Sequence, residues 1–220
     1  MLCKLKTAAT WIARLIGIGN VDADDEQVVN CVKSSNIDFK SSNPRRPGTW
    51  RWPEIVDVYI PEPSGDKERN YATMVNKSIG QINTKLHGLL ELRPTNSPPR
   101  VNHIRVSYET SYVDPNAKNY QDYCANVSTG PNLGNVIQPD PRNGIASNPV
   151  WINLGNGRCC VTQDIVTHEF GHALGLAEHF NGFDGDGPAI SSAFWDVLAT
   201  LYNHPPSTQA PEITVKRAAS

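Results

Sequence analysis

His168-Glu169-Phe170-Gly171-His172-Ala173-Leu174-Gly175-Leu176-Ala177-Glu178-His179 is the stretch from which the rest of the chain is read. On a helix, His168 and His172 lie four residues apart and project from one face, close enough to share a metal ion. Glu169 follows the first of them, beside whatever water completes the metal's shell. Gly175 can leave the helix with a positive φ, which lets the chain turn back and bring in His179 as a third ligand. Three neutral imidazoles with one open position form a catalytic rather than a structural zinc arrangement. Chance alone produces these residues at these spacings in roughly one chain in 10^5, and a helix built only for packing has no use for them. The stretch therefore predicts one Zn2+ on His168, His172 and His179, with Glu169 as the catalytic base.

The flanking sequence supplies elements to carry that helix. Thr162 is placed as its N-cap, with Asp164 in the first turn, and Ile165, Val166, Phe170, Ala173 and Leu174 form its packing side. Upstream, Pro149 to Leu154 is a strand that ends in the turn Gly155-Asn156-Gly157. Ile104 to Val113 opens with apolar and polar residues alternating, as a half-buried strand does. Asp114 to Asn132 is loop, and Leu133 to Gln138 is a further short strand. Ile55 to Ile60 is β-branched and short, a strand stopped by Pro61 and Pro63. Ser64 is placed as the cap of a long amphipathic helix in which Tyr71, Val75, Ile79, Ile82, Leu86 and Leu89 recur at three and four residues, ending before Pro94. Downstream, Asn181 to Gly187 is a solvated turn. Ser191 or Ser192 opens a last helix with Phe194, Trp195, Val197, Leu198, Leu201 and Tyr202 on its apolar face, stopped by Pro205-Pro206. This order predicts an α+β (α/β-like) fold: a mixed sheet, a long crossover helix, the histidine helix and a C-terminal helix.

The chain has 220 residues, enough for one domain with a sizeable core. Residues 1–47 are expected to form a leader, pro-segment or linker outside the compact domain, with Pro44-Arg45-Arg46-Pro47 as a protease-accessible junction. Residues 48–205 form the domain, and 206–220 a flexible tail. The formal net charge of −2 gives no electrostatic case for nucleic acid or an anionic membrane, and no run is long enough to span a bilayer. Arg14 interrupts the apolar stretch Thr7 to Gly19, a poor signal-peptide core. The five cysteines fit no CxxC pattern. Cys124 with Cys159 or Cys160 is the expected bridge, free buried thiols being the alternative. Asn76-Lys77-Ser78 and Asn126-Val127-Ser128 match the glycosylation triplet.

Residues 168–179 match every fixed position of HExxHxxGxxH, and on them the chain resembles the metzincin zinc endopeptidases. His-Ala-Leu-Gly-Leu around Gly175 is similar to the matrixin-like and astacin-like members. The order of elements extends the resemblance over about residues 48–205, although only the twelve-residue motif is specific. The resemblance implies a secreted, monomeric zinc endopeptidase with a metzincin-like twisted sheet, acting on protein or peptide substrates. The chain departs from the family in one respect. Metzincins carry a methionine turn beneath the metal after the third histidine, and here the only methionines are Met1 and Met74. Ile190 is expected to replace it as the apolar floor. Tyr202 is a candidate for the astacin-type tyrosine that assists at the metal, and no cysteine-switch segment is visible. The competing readings are a non-catalytic zinc-containing binding protein on the same fold and a metal hydrolase for a non-peptide substrate.

Overall fold

A computed structural model of the protein describes residues 23–39, 48–108, 125–130, 137–140, 142–146, 149–155, 161–183 and 190–220. Helix α1 (Asp25–Val32) is opened by a capping box between Asp24 and Gln27 and runs into a π-helical turn at Lys33–Ile37. Strand β1 (Ile55–Tyr59) then leads into α2 (Asp66–Lys85), which returns the chain to β2 (Glu91–Thr95) alongside β1 and parallel to it. β3 (Ile104–Ser107) joins the other side of β1, and β7 (Val150–Asn153) joins β3, both parallel. The short β4 (Asn126–Ser128) closes the far side antiparallel to β7, giving the order β2-β1-β3-β7-β4. A separate ladder pairs β5 (Gln138–Pro139) with β6 (Ile145–Ala146). Two further helices follow, α3 (Gln163–Ala173) and α4 (Ser192–Tyr202).

The expected crossover helix is α2. Tyr71, Val75, Ile79 and Ile82 are buried along it and Leu86 continues the stripe. Parallel neighbours cannot be joined by a tight hairpin, so a helix laid across the sheet is the physical solution. Its cap is Gly65 rather than Ser64. Ser64 instead donates its N–H and hydroxyl to the Glu68 carboxylate at 2.6 and 2.7 Å.

Two strands of the five-stranded sheet escaped the sequence reading. β2 was hidden because Pro94 looked like the stop of the preceding helix. A proline suits a strand that forms one edge of the sheet, where its missing N–H breaks no ladder. Asn83 on α2 closes that edge further: its side chain donates to the Leu92 carbonyl at 2.9 Å and accepts from the Leu92 N–H at 2.8 Å. β4 falls inside the stretch expected to be loop, and with three residues it is too short to show periodicity. β3 ends at Ser107, short of the expected Val113; residues 109–124 lie outside the described set, as do 131–136 of the expected strand at Leu133 to Gln138.

In both flanking segments the described residues depart from expectation. Val28 and Val32 of α1 are fully buried, and α1 packs on α4, so the described part of the 1–47 segment belongs to the compact domain. The tail beyond Pro206 is also held. Thr49 pairs through backbone bonds with Ser207 and Thr208 (Thr49 N–H to Thr208 carbonyl, 2.9 Å; Ser207 N–H to Thr49 carbonyl, 2.7 Å). Lys216 exchanges hydrogen bonds with the Thr200 hydroxyl. Arg217 bridges Asp25 of α1 and Asp196 of α4, which joins α1 and the C-terminal segment to the last helix. Among the described residues no helix is long and apolar enough to cross a membrane.

Candidate metal centre

Helix α3 begins where the sequence places it: the Thr162 hydroxyl accepts the Ile165 N–H at 3.3 Å. Its rotation about its own axis is fixed by polar packing on α2. Ser78 and Thr167, both buried, bring their hydroxyls to 2.9 Å, and Gln163 donates to Ser78 Oγ at 2.8 Å and to the Met74 carbonyl at 3.1 Å. The residue after Thr167 is His168.

The three histidines converge. Their Nε2 atoms form a nearly equilateral triangle, with His168 to His172 at 3.0 Å, His172 to His179 at 3.1 Å and His179 to His168 at 3.1 Å. No other group of three potential metal ligands is found among the described residues. His172 Nδ1 lies 2.6 Å from the Leu176 carbonyl, to which only a protonated Nδ1 can donate. The neutral ring then has no proton left for Nε2, which meets the other two rings as a lone pair. Burial, with His168 and His179 adding repulsion, pushes the His172 pKa down to about 3, so the ring is neutral at any ordinary pH. A first-row ion such as zinc sits about 2.0–2.1 Å from imidazole nitrogens. Tetrahedral geometry at that length separates the nitrogens by about 3.3 Å, close to the spacing here. The donor set fits such an ion, and a carbonyl holding the far nitrogen of a ligand ring is the usual means of orienting it.

Glu169 is buried on α3 with only 6 % of its surface exposed, and burial pushes its carboxyl pKa up to about 8. A cation nearby acts in the opposite sense and favours the carboxylate.

The rings rest on an aromatic side chain that the sequence reading passed over. Phe183 is fully buried and stacks on His168 with ring centroids 4.5 Å apart. It also meets His172 at 4.9 Å and His179 at 5.6 Å, and it stacks on Phe194 of α4 from behind. Ile190, the expected floor, is half-buried against the same apolar cluster. Gly171, between the two helical histidines, has a packing reason to be glycine. A Cβ there would lie 2.6 Å from ring carbons of both Phe183 and Phe194. No methionine or histidine pattern points to Phe183; the only signal was an apolar residue four positions after the last ligand.

The turn from His172 to His179 is a Schellman motif. Gly175 takes φ +108°, its N–H bonds the His172 carbonyl, and the Leu176 N–H bonds the Gly171 carbonyl. The carbonyls that leave the helix here are met by side chains from elsewhere. Trp52 Nε1 donates to Ala173 at 2.7 Å, the Tyr202 hydroxyl to Leu174 at 3.0 Å and Asn36 Nδ2 to Gly175 at 2.8 Å. Tyr202 is thus a buried cap of α3 rather than a residue assisting at the metal. Arg51 lies over its ring at 5.3 Å.

Cys31 is a half-buried free thiol with its pKa raised by burial. The expected bridge involving Cys124, Cys159 or Cys160 lies outside the described residues, as does the Gly187-Pro188-Ala189 part of the expected methionine-turn region.

No protein-family model matches the chain, and no curated protein matches it. Among solved structures it is similar to high choriolytic enzyme 1, a hatching-enzyme zinc-protease from Oryzias latipes (medaka fish). The identity is 14 % and the TM-score 0.31, over 57 % of this chain and 48 % of the other, so the chain spans about half that enzyme's length.

Proposed function

We propose that this chain is a zinc-dependent endopeptidase of the metzincin kind, cleaving protein or peptide substrates. The observation that carries the reading is the Nε2 triangle of His168, His172 and His179, with a buried glutamate next in sequence to the first of them. A site that only stored a metal would need the histidines and not Glu169. Zinc bound there supplies Lewis-acid polarisation of a scissile carbonyl and acidifies a water. Glu169 is assigned the proton work: its carboxylate takes a proton from the attacking water and delivers it to the leaving nitrogen. The His172–Leu176 bond keeps one imidazole in the ligating tautomer throughout. Phe183, supported by Phe194, serves as the apolar floor and keeps water from the back of the rings. A secreted, monomeric protein remains part of this reading.

The test is the purified chain, assayed for zinc content and for cleavage of an unfolded protein. Wild type is expected to hold about one zinc and to cleave. Glu169→Gln is expected to keep the zinc and to lose roughly 10^2- to 10^4-fold in rate. A protein that holds zinc and cleaves no peptide bond sinks the protease reading and leaves a zinc-containing binding protein or a metal hydrolase for a non-peptide substrate. Cleavage that survives Glu169→Gln removes that residue as the base.

A further inference from the structure

His179 has a different origin from its two partners. Its position depends on the path of Gly175 to Glu178, and that path is tied to the N-terminal segment. Asn36, fully buried in the π-helical turn after α1, spends one side-chain nitrogen on two carbonyls: Gly175 at 2.8 Å and Trp50 at 2.8 Å. Its Oδ1 accepts the Trp50 N–H at 3.0 Å, and its own carbonyl accepts the Trp50 indole N–H at 2.6 Å. One residue earlier, the Ser35 carbonyl accepts the Ala177 N–H at 2.7 Å. The two residues therefore grip the turn on both sides of Leu176, the residue whose carbonyl orients His172. The fit is close, since a Cβ on Gly175 would lie 3.2 Å from Asn36 Nδ2 and from the Trp50 carbonyl.

We infer that Asn36 is a positioning residue for the third metal ligand, which makes the α1 segment an integral part of the metal centre rather than a detachable leader. The physical reason is the geometry of the amide. An asparagine can accept from one backbone N–H while donating to two carbonyls, and this one links the strand-entry residue Trp50 to the glycine that reverses the chain. Aliphatic residues of similar size offer none of these bonds. α1 is in turn held by burial of Val28 and Val32 and by Arg217 across to α4, so the grip is anchored to the body of the domain. The inference rests on the metal-site reading alone and does not require that the protein be a protease.

The experiment measures zinc affinity of the full chain by competition with a chelator. Asn36→Ala is expected to weaken zinc by about 10- to 100-fold, the range for residues that orient a ligand. In a His179→Ala background the same change is expected to cost clearly less than in the wild-type background, the remainder passing through the Leu176 carbonyl to His172. Leu92→Ala, on the far edge strand, serves as a comparison that lowers the melting temperature while keeping wild-type affinity. Folded Asn36→Ala binding zinc like wild type overturns the inference, and so does an equal loss with and without His179. Should Asn36→Ala not fold, hydrogen exchange in wild type gives an independent answer through reciprocity of coupled equilibria. Zinc is then expected to slow exchange of the Ala177 amide and the Trp50 indole N–H more than that of the Leu92 amide. Equal slowing at all three overturns it. Wild type that binds no zinc removes the metal-site reading itself, a result distinguishable from either.

Discussion

The first five residues of the histidine stretch and the last seven are built by different means. His168 and His172 share a face because a helix repeats every 3.6 residues, and nothing remote is needed to bring them together. His179 comes back to them only because Gly175 reverses the chain and Asn36, Trp52 and Tyr202, drawn from three distant segments, hold the reversal. Local geometry supplies two ligands and tertiary structure the third. One half should tolerate loss of distant residues, and the other should not.

The largest effect breaks the helical half outright. His172→Ala is expected to cost about 10^2- to 10^3-fold in zinc affinity, since a binding free energy of roughly 10–16 kcal/mol is shared among few ligands; chelator competition measures it. Next comes Gly171→Ala, which forces a methyl against Phe183 and Phe194. An overpacking cost of about 1–3 kcal/mol should lower the melting temperature by several degrees. In the remote half, Trp52→Phe leaves the Ala173 carbonyl without its indole donor, and about 1–3 kcal/mol of stability should be lost in denaturant unfolding. Tyr202→Phe removes the hydroxyl from Leu174 and should cost about 1 kcal/mol by the same measurement. A cleavage loss much greater than the stability loss would return Tyr202 to the chemistry. The smallest effect sharpens the contrast. Thr162→Ala removes only the cap of α3, far along the helix from the turn, and should cost about 1 kcal/mol or less with zinc affinity unchanged.

The same division explains what could be read from the chain. The histidine helix, its Thr162 cap, the positive φ of Gly175 and the α2 crossover all express themselves in local spacing, and they stand in the structure as expected. What stayed hidden depends on contacts between residues far apart. Asn36 lies in a polar run that resembles a leader, and nothing within its own neighbourhood shows that Gly175, 139 residues later, accepts its hydrogen bond. Phe183 is one phenylalanine among five until the fold lays it under three imidazoles. β2 was masked by a proline whose meaning depends on whether the strand is central or at an edge, which only the topology decides. Arg217 looked like tail because its partners, Asp25 and Asp196, are 192 and 21 residues away.

The pairing of Asn83 with Leu92 has a consequence for how molecules of this protein meet one another. An edge strand ordinarily offers its outward N–H and C=O groups to any extended chain that drifts by. On β2 those of Leu92 are already taken by a side chain of the same molecule, and two residues on Pro94 has no N–H to give. A second copy approaching along this strand finds no continuous ladder to extend. The β2 side of the sheet is thereby protected against edge-to-edge polymerisation, by one amide and one imino acid.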